Sequence, residues 1–228
     1  MNEAKTENIV RNILRKLKYY NNPDIVIEEK QSDSPRIKKL LQNASKRGSG
    51  AGYPEFIIWS VSRSNLVIVI ECKADLAKHE SGARDRYSEF AVDGALLYGS
   101  YLAKDFDVIA IGVTGQTLSL LRISHFLYLK TQTGHTSFLG DKLLSFDDYY
   151  TSYIRSPQKF NQDYKSLLDY SQVLNRTLHK KKIKESQRSL LISGILIALR
   201  NKAFRDGVGF TPHTLIYNSL LPSYVSLQ

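Results

Sequence analysis

Cysteine is nearly absent from this chain: Cys72 stands alone among 228 residues. That excludes an internal disulfide framework and any zinc site built on several cysteines, and it fits a reducing cytosol. Long apolar runs are missing as well, and the longest stretches are too short to span a bilayer. The amino terminus, MNEAKTENIVRNILRKLK, carries acids within an amphipathic pattern and lacks the unbroken apolar segment of a secretory signal. A soluble, cytoplasmic protein with no membrane partner is expected. Acids are also in short supply, 22 Asp and Glu against 32 Lys and Arg, which leaves a net charge of +10. A surplus of that sign favours a polyanionic partner through counterion release. No nucleophile elbow, zinc-ligand spacing or Gly-Lys-Ser/Thr phosphate loop occurs, so a small-molecule enzyme finds no support. No internal repeat or low-complexity segment appears.

What is present reads as an α/β pattern. Ile9, Val10, Ile13, Leu14 and Leu17 recur at helical spacing and predict an amphipathic helix over about 3–18, stopped by Asn21-Asn22-Pro23. Ile25 to Glu29 reads as a short strand, and IKKLLQNA as a short helix within the basic stretch 30–47. The glycine-rich segment 48–52 cannot favour regular structure. Two compact strand signals follow, Glu55–Val61 and Leu66–Cys72, joined by a link of hairpin length. A helix is expected over about 84–104, a buried strand over Asp107–Val113, and one or two more strands between Leu118 and the turn at Gly134. The character changes near 150–160, where a domain boundary is expected. Beyond it, a helical extension over 156–228 holds a strongly apolar helix at 186–204.

Chemistry concentrates in Gly52-Tyr53-Pro54-Glu55 and Glu71-Cys72-Lys73. Side chains alternate across a strand. Glu71 and Lys73 therefore share a face and Cys72 takes the other, while Glu55 opens the neighbouring strand. In an antiparallel hairpin the start of one strand lies beside the end of the next, so the two carboxylates are expected to meet with the Lys73 ammonium beside them. Two carboxylates suit a hard divalent cation such as Mg²⁺. Lys73 could orient a water or neutralise charge developing on phosphorus.

With these residues in place, the chain resembles the PD-(D/E)XK nuclease superfamily, Pro54-Glu55 standing for PD and Glu71-Cys72-Lys73 for (D/E)XK. The wider stretches NASKRGSGAGYPEFII, LVIVIECKAD, KHES and YSEFAVDGALLYGSYLAKDFDVIAIGV look like the nuclease region that opens fused restriction-modification polypeptides. The segment SLLISGILIALRNKAF is similar to the start of the helical region before an N6-adenine DNA methyltransferase. Glu55 departs from the usual Asp, keeping an oxygen ligand on a longer arm.

The resemblance implies a restriction-endonuclease-like mixed sheet flanked by helices, as the nuclease domain over 1–155. It implies Mg²⁺-dependent cleavage of double-stranded DNA, with Mn²⁺ as an alternative cation, in the manner of a type IIG or type I-like restriction enzyme. Glu55, Glu71 and Lys73 would be catalytic. Glu55, Glu71 and the Cys72 carbonyl would hold the metal, joined by Glu7 from the first helix. Methyltransferase and target-recognition domains are expected beyond Gln228 or as partners. S-adenosylmethionine belongs to them alone, since no loop for it occurs within these residues.

Lys46, Arg47, Ser49, Lys78, Arg84 and Arg86 are the candidate DNA contacts. Glu28, Glu29 and His79 are weaker candidates for the site, and Tyr87 and Tyr98 for contacts near the scissile region. The basic run Lys180–Lys184 reads as a solvated helical face or a contact to the DNA backbone. The apolar tail helix makes a homodimer a further expectation. The competing reading is a nuclease-like fold that binds DNA or docks a partner without cutting.

Overall fold

A computed structural model describes residues 2–198 and 200, with the Leu196 side chain set aside. The architecture is α/β: a six-stranded mixed sheet flanked by helices, with further helices at the carboxyl end. The chain divides into one compact unit ending at Phe160 and a second from Asn161.

The sheet runs in simple chain order, β1 (Ile25–Glu28), β2 (Phe56–Ser60), β3 (Leu66–Lys73), β4 (Asp107–Thr114), β5 (Arg122–Tyr128) and β6 (His135–Ser137). Only β3 and β4 are parallel. Joining parallel neighbours requires a crossover, and residues 74–106 supply it, carrying the helix Ala91–Leu102. In chain order the helices are α1 (Glu3–Lys16), α2 (Pro35–Leu41), α3 (Ala91–Leu102), α4 (Phe146–Ile154), α5 (Pro157–Lys180) and α6 (Glu185–Ala198).

All of β3 and β4 is buried, as expected for central strands covered on both faces. Strand alternation sorts their side chains into two cores. Leu66, Ile68, Ile70 and Cys72 join Phe56, Ile109 and Ile111 against α1 and α4. Val67 and Val69 join Ile57, Val108 and Ala110 against α2 and α3. Glu71 and Lys73 continue this second set, on the face opposite Cys72.

α3 is shorter than the 84–104 predicted, because residues 81–90 are held out of helical geometry. The Asp93 carboxylate, fully buried in the first turn of α3, accepts from the Ser81 and Arg86 amides at 3.1 and 2.9 Å and from the Ser81 hydroxyl. The Val92 amide donates to the His79 carbonyl at 2.8 Å, so the preceding loop caps the helix. α4, a Tyr-rich segment with no helix assigned from sequence, buries Phe146, Tyr149 and Tyr153 on one side. Ser145 caps it through the Asp148 amide.

In the second unit, α6 covers most of the apolar stretch predicted at 186–204, and residues 201–204 lie outside the described ones. No helix among the described residues is long and apolar enough to cross a membrane.

Candidate active site

The β2–β3 register pairs Phe56 with Ile70 and Ile57 with Val69. Continued by one step, it sets Glu55 directly opposite Glu71. Residues facing each other across antiparallel strands lie close enough for their side chains to interact, and here both are carboxylates. Glu55 is 5 % exposed and Glu71 not at all.

Each carboxylate has a distinct set of partners. Glu55 Oε2 accepts the Cys72 amide at 3.1 Å, and its Oε1 faces the Lys30 ammonium at 3.6 Å. Glu71 Oε1 is gripped by Lys46 and approached by Lys73 at 3.7 Å. Its other oxygen, Oε2, is buried and finds no donor among the described residues. A Cβ on Gly94 of α3 would sit 3.1 and 3.2 Å from Glu71 Cγ and Cδ. The absence of a side chain there leaves the room in which Glu71 lies.

Protonation follows from this crowding. Burial, then the negative charge of Glu55, pushes Glu71 well above the usual carboxylate range, with Lys46 opposing. Burial also works against ionisation of Glu55. There the hydrogen bond from Glu71, the Lys46 and Lys30 ammoniums and the Cys72 amide prevail and bring it below its ordinary value. Lys46 stays charged, since Glu71 and Glu55 outweigh the cost of its burial.

Lys73 is 9 % exposed and donates to Glu3 at 3.0 Å. α1 reaches this corner because the buried Thr6 hydroxyl donates to the Gly115 carbonyl at 2.7 Å, beyond the end of β4. Outward from Lys73 a cavity of about 210 Å³ opens between Glu3, Lys78, Ser88 and Glu89. A second, of about 250 Å³, lies on the Lys30 side and is bordered by Lys38 and Tyr53.

The structure therefore brings Glu55, Glu71, Lys73 and Lys46 together. Lys46 was expected to point toward DNA and instead turns inward, its ammonium 5.4 Å from the Tyr98 ring centre. Glu7 lies one lysine away, its carboxylate 3.2 Å from Lys30. The acid of α1 that touches Lys73 is Glu3, one turn earlier, which the sequence reading did not single out. The Cys72 amide faces Glu55, and its thiol is pushed well up by burial.

Arg47 and Ser49 are exposed on the glycine-rich loop. Lys78 and Arg86 share Glu89 at 2.9 and 2.6 Å, and Arg84 is paired with Glu80 at 2.5 Å. Glu28 serves the turn after β1, accepting from the Asp33 amide and the Trp59 indole, and Glu29 forms a two-point pair with Arg11. His79 is buried between the Thr114 and Ser124 hydroxyls at 2.9 and 2.8 Å, and burial brings it down to about 4, so it is neutral near pH 7. Tyr87 is half-buried, while Tyr98 is almost wholly buried in the core, with its hydroxyl accepting the Tyr53 amide at 3.2 Å.

Among the described residues, no three His, Cys, Asp or Glu side chains are grouped to hold a metal ion. The donors at this corner are two carboxylates and the backbone. Such a set is of the kind that suits a small hard cation keeping several of its waters. No family model, curated protein or solved structure matches the chain.

Proposed function

We propose that this chain is a Mg²⁺-dependent endonuclease acting on double-stranded DNA, the cleavage part of a restriction-modification enzyme of the PD-(D/E)XK kind. The observation that carries the reading is the Glu55–Glu71 pair, buried side by side and set in register across one hairpin, with Lys73 two residues on. Burying two carboxyl groups side by side costs stability, so their retention points to a role. The net charge of +10 suits a phosphate backbone.

Glu55 and Glu71 would hold the ion, with the methyltransferase-linked cofactor S-adenosylmethionine having no place in this chain. A bound Mg²⁺ supplies Lewis acidity toward a phosphate oxygen and a water of lowered pKa. Glu55, ionised and fixed by the Cys72 amide, provides the permanent negative charge of the pair. Glu71 would hold the ion as a carboxylate, its proton released to solvent. Lys73 faces the 210 Å³ cavity, where its ammonium can meet a phosphate oxygen and offset charge building up in the transition state. Arg47 and Ser49, free on the surface loop, are placed to contact the backbone and carry no sequence information.

Supercoiled plasmid nicking in Mg²⁺ or Mn²⁺ tests the proposal. The intact chain should nick, and Glu71→Ala and Lys73→Ala should each slow nicking by at least about a hundredfold. Nicking that survives both substitutions, or persists in excess chelator, would refute it. One observation favours a second reading, a nuclease-like module that binds without cutting: three lysines already surround the two acids. In that case duplex binding survives while nicking is absent in every metal, with a methyltransferase partner supplied or not.

A further inference from the structure

We infer that Lys46 is a displaceable occupant of the cation position, so that metal entry and release of the loop bearing it are one event. The inference rests on the metal-site reading above and deepens it. The juxtaposition behind it is specific. Lys46 grips Glu71 Oε1, the same carboxylate whose other oxygen has no donor among the described residues, and its side chain is only 17 % exposed. A lysine drawn that far into a sheet corner to meet a fully buried acid is holding a place, since an ammonium left in water would lose nothing by staying there.

Lys46 rides on a segment suited to letting go. The loop is anchored at one end by buried Ala44 and at the other by the Gly52 amide, which donates to the Leu41 carbonyl at 2.8 Å. Between those anchors, Gly48 and Gly50 hold φ of +93° and +97°, with open space where a Cβ would be. Three internal contacts close the loop, Ser45 amide to Gly50 carbonyl at 3.0 Å, Gly48 amide to Ser45 carbonyl at 3.2 Å and Arg47 amide to Ser45 hydroxyl at 3.2 Å. Arg47 and Ser49 point to solvent. The ion pair of Lys46 is thus the side-chain tether by which the loop tip reaches the carboxylates.

A divalent cation competes with Lys46 for the Glu71 oxygen it grips, and like-charge repulsion falls hardest on Lys46, the nearer of the two ammoniums at that oxygen, Lys73 standing back at 3.7 Å. The cation then evicts Lys46, and the freed lysine stands beside Arg47 on the face where a phosphate backbone would lie. Lys46 acts as a positioning residue: it keeps the acids compatible before the metal arrives and becomes a phosphate contact afterwards. Lys30 does not play this part, because it faces Glu55 at 3.6 Å and remains half exposed.

Calorimetric titration of the full chain with Mg²⁺ and with Ca²⁺ tests this, comparing wild type with Lys46→Met, Lys46→Arg and Lys30→Met. Removing an occupant that is bound most of the time should tighten apparent cation affinity by about tenfold or more in Lys46→Met. Lys46→Arg and Lys30→Met should stay within about threefold of wild type. In parallel, trypsin cleavage of the wild-type chain after Lys46 and Arg47 should speed up when Mg²⁺ is added. Equal or weaker binding by Lys46→Met, with wild type binding normally, overturns the inference and leaves the metal site standing. Binding by neither protein overturns both. If Lys46→Met does not fold, the wild-type proteolysis decides: a rate unchanged or lowered by saturating Mg²⁺ sinks the displacement.

Discussion

Two buried acids at opposite ends of adjacent strands differ in how completely the fold surrounds them with donors. Asp107 opens β4 and is 4 % exposed. Its oxygens receive the Lys130 amide at 2.5 Å, the Tyr153 hydroxyl and the Lys159 ammonium at 3.4 Å. Glu71 lies near the end of β3, where it faces a second acid, and one of its oxygens has no donor among the described residues. Burial is nearly the same in the two cases. The difference is in completeness: the fold surrounds Asp107 with donors and stops short at Glu71. An acid that is buried and finished holds the structure together, whereas one that is buried and unfinished stores a demand for positive charge.

The contrast can be broken first at Asp107. Asp107→Ala leaves the Lys130 amide and the Tyr153 hydroxyl without their acceptor, and should cost about 3 kcal/mol in urea unfolding while leaving any cation affinity intact. Gly94→Ala should come next. The new methyl would meet the Tyr87 carbonyl at 3.0 Å and the Glu71 side chain at 3.1 Å. A loss of about 1–2 kcal/mol is expected, together with weakened Mg²⁺ binding, because Glu71 must shift to make room.

The smallest effect has the opposite sign. Glu71→Gln removes a charge that the metal-free fold resists, and should raise stability by about 1 kcal/mol at neutral pH while abolishing metal binding. The pH dependence gives the check. Glu71 holds its proton more tightly folded than unfolded, so the folded chain binds more protons above the ordinary carboxylate range, and wild-type stability falls as pH rises through that window. Glu71→Gln should flatten this part of the profile. An unchanged slope in metal-free denaturation curves would mean that Glu71 is as well satisfied as Asp107.

Much of this contrast was legible before any coordinates. Apolar β-branched runs located β2, β3 and β4, and period-two alternation put Glu71 and Lys73 on one face with Cys72 on the other. The hairpin-length link then brought Glu55 opposite Glu71. What stayed hidden depends on distant partners. Nothing local announces that Asp93 would seize the Ser81 and Arg86 amides and delay the start of α3. Lys46 sits in a stretch whose composition reads as a solvent-facing loop, and only the burial of Glu71 explains its inward turn. Glu7 was the acid expected from α1, and it is the Thr6 contact, far off in sequence, that sets the rotation of the helix and brings Glu3 to Lys73 instead. The satisfied state of Asp107 depends on Lys130, Tyr153 and Lys159, all far along the chain.

The hairpin itself has a consequence in time. β2 and β3 are joined by a short link and can pair within microseconds, long before the crossover through α3 delivers β4. The two acids therefore meet while water still separates and hydrates them. Their quarrel begins only when the later elements close over them and the solvent leaves, so the final docking of the crossover is the step at which a dissolved cation would change the speed of folding.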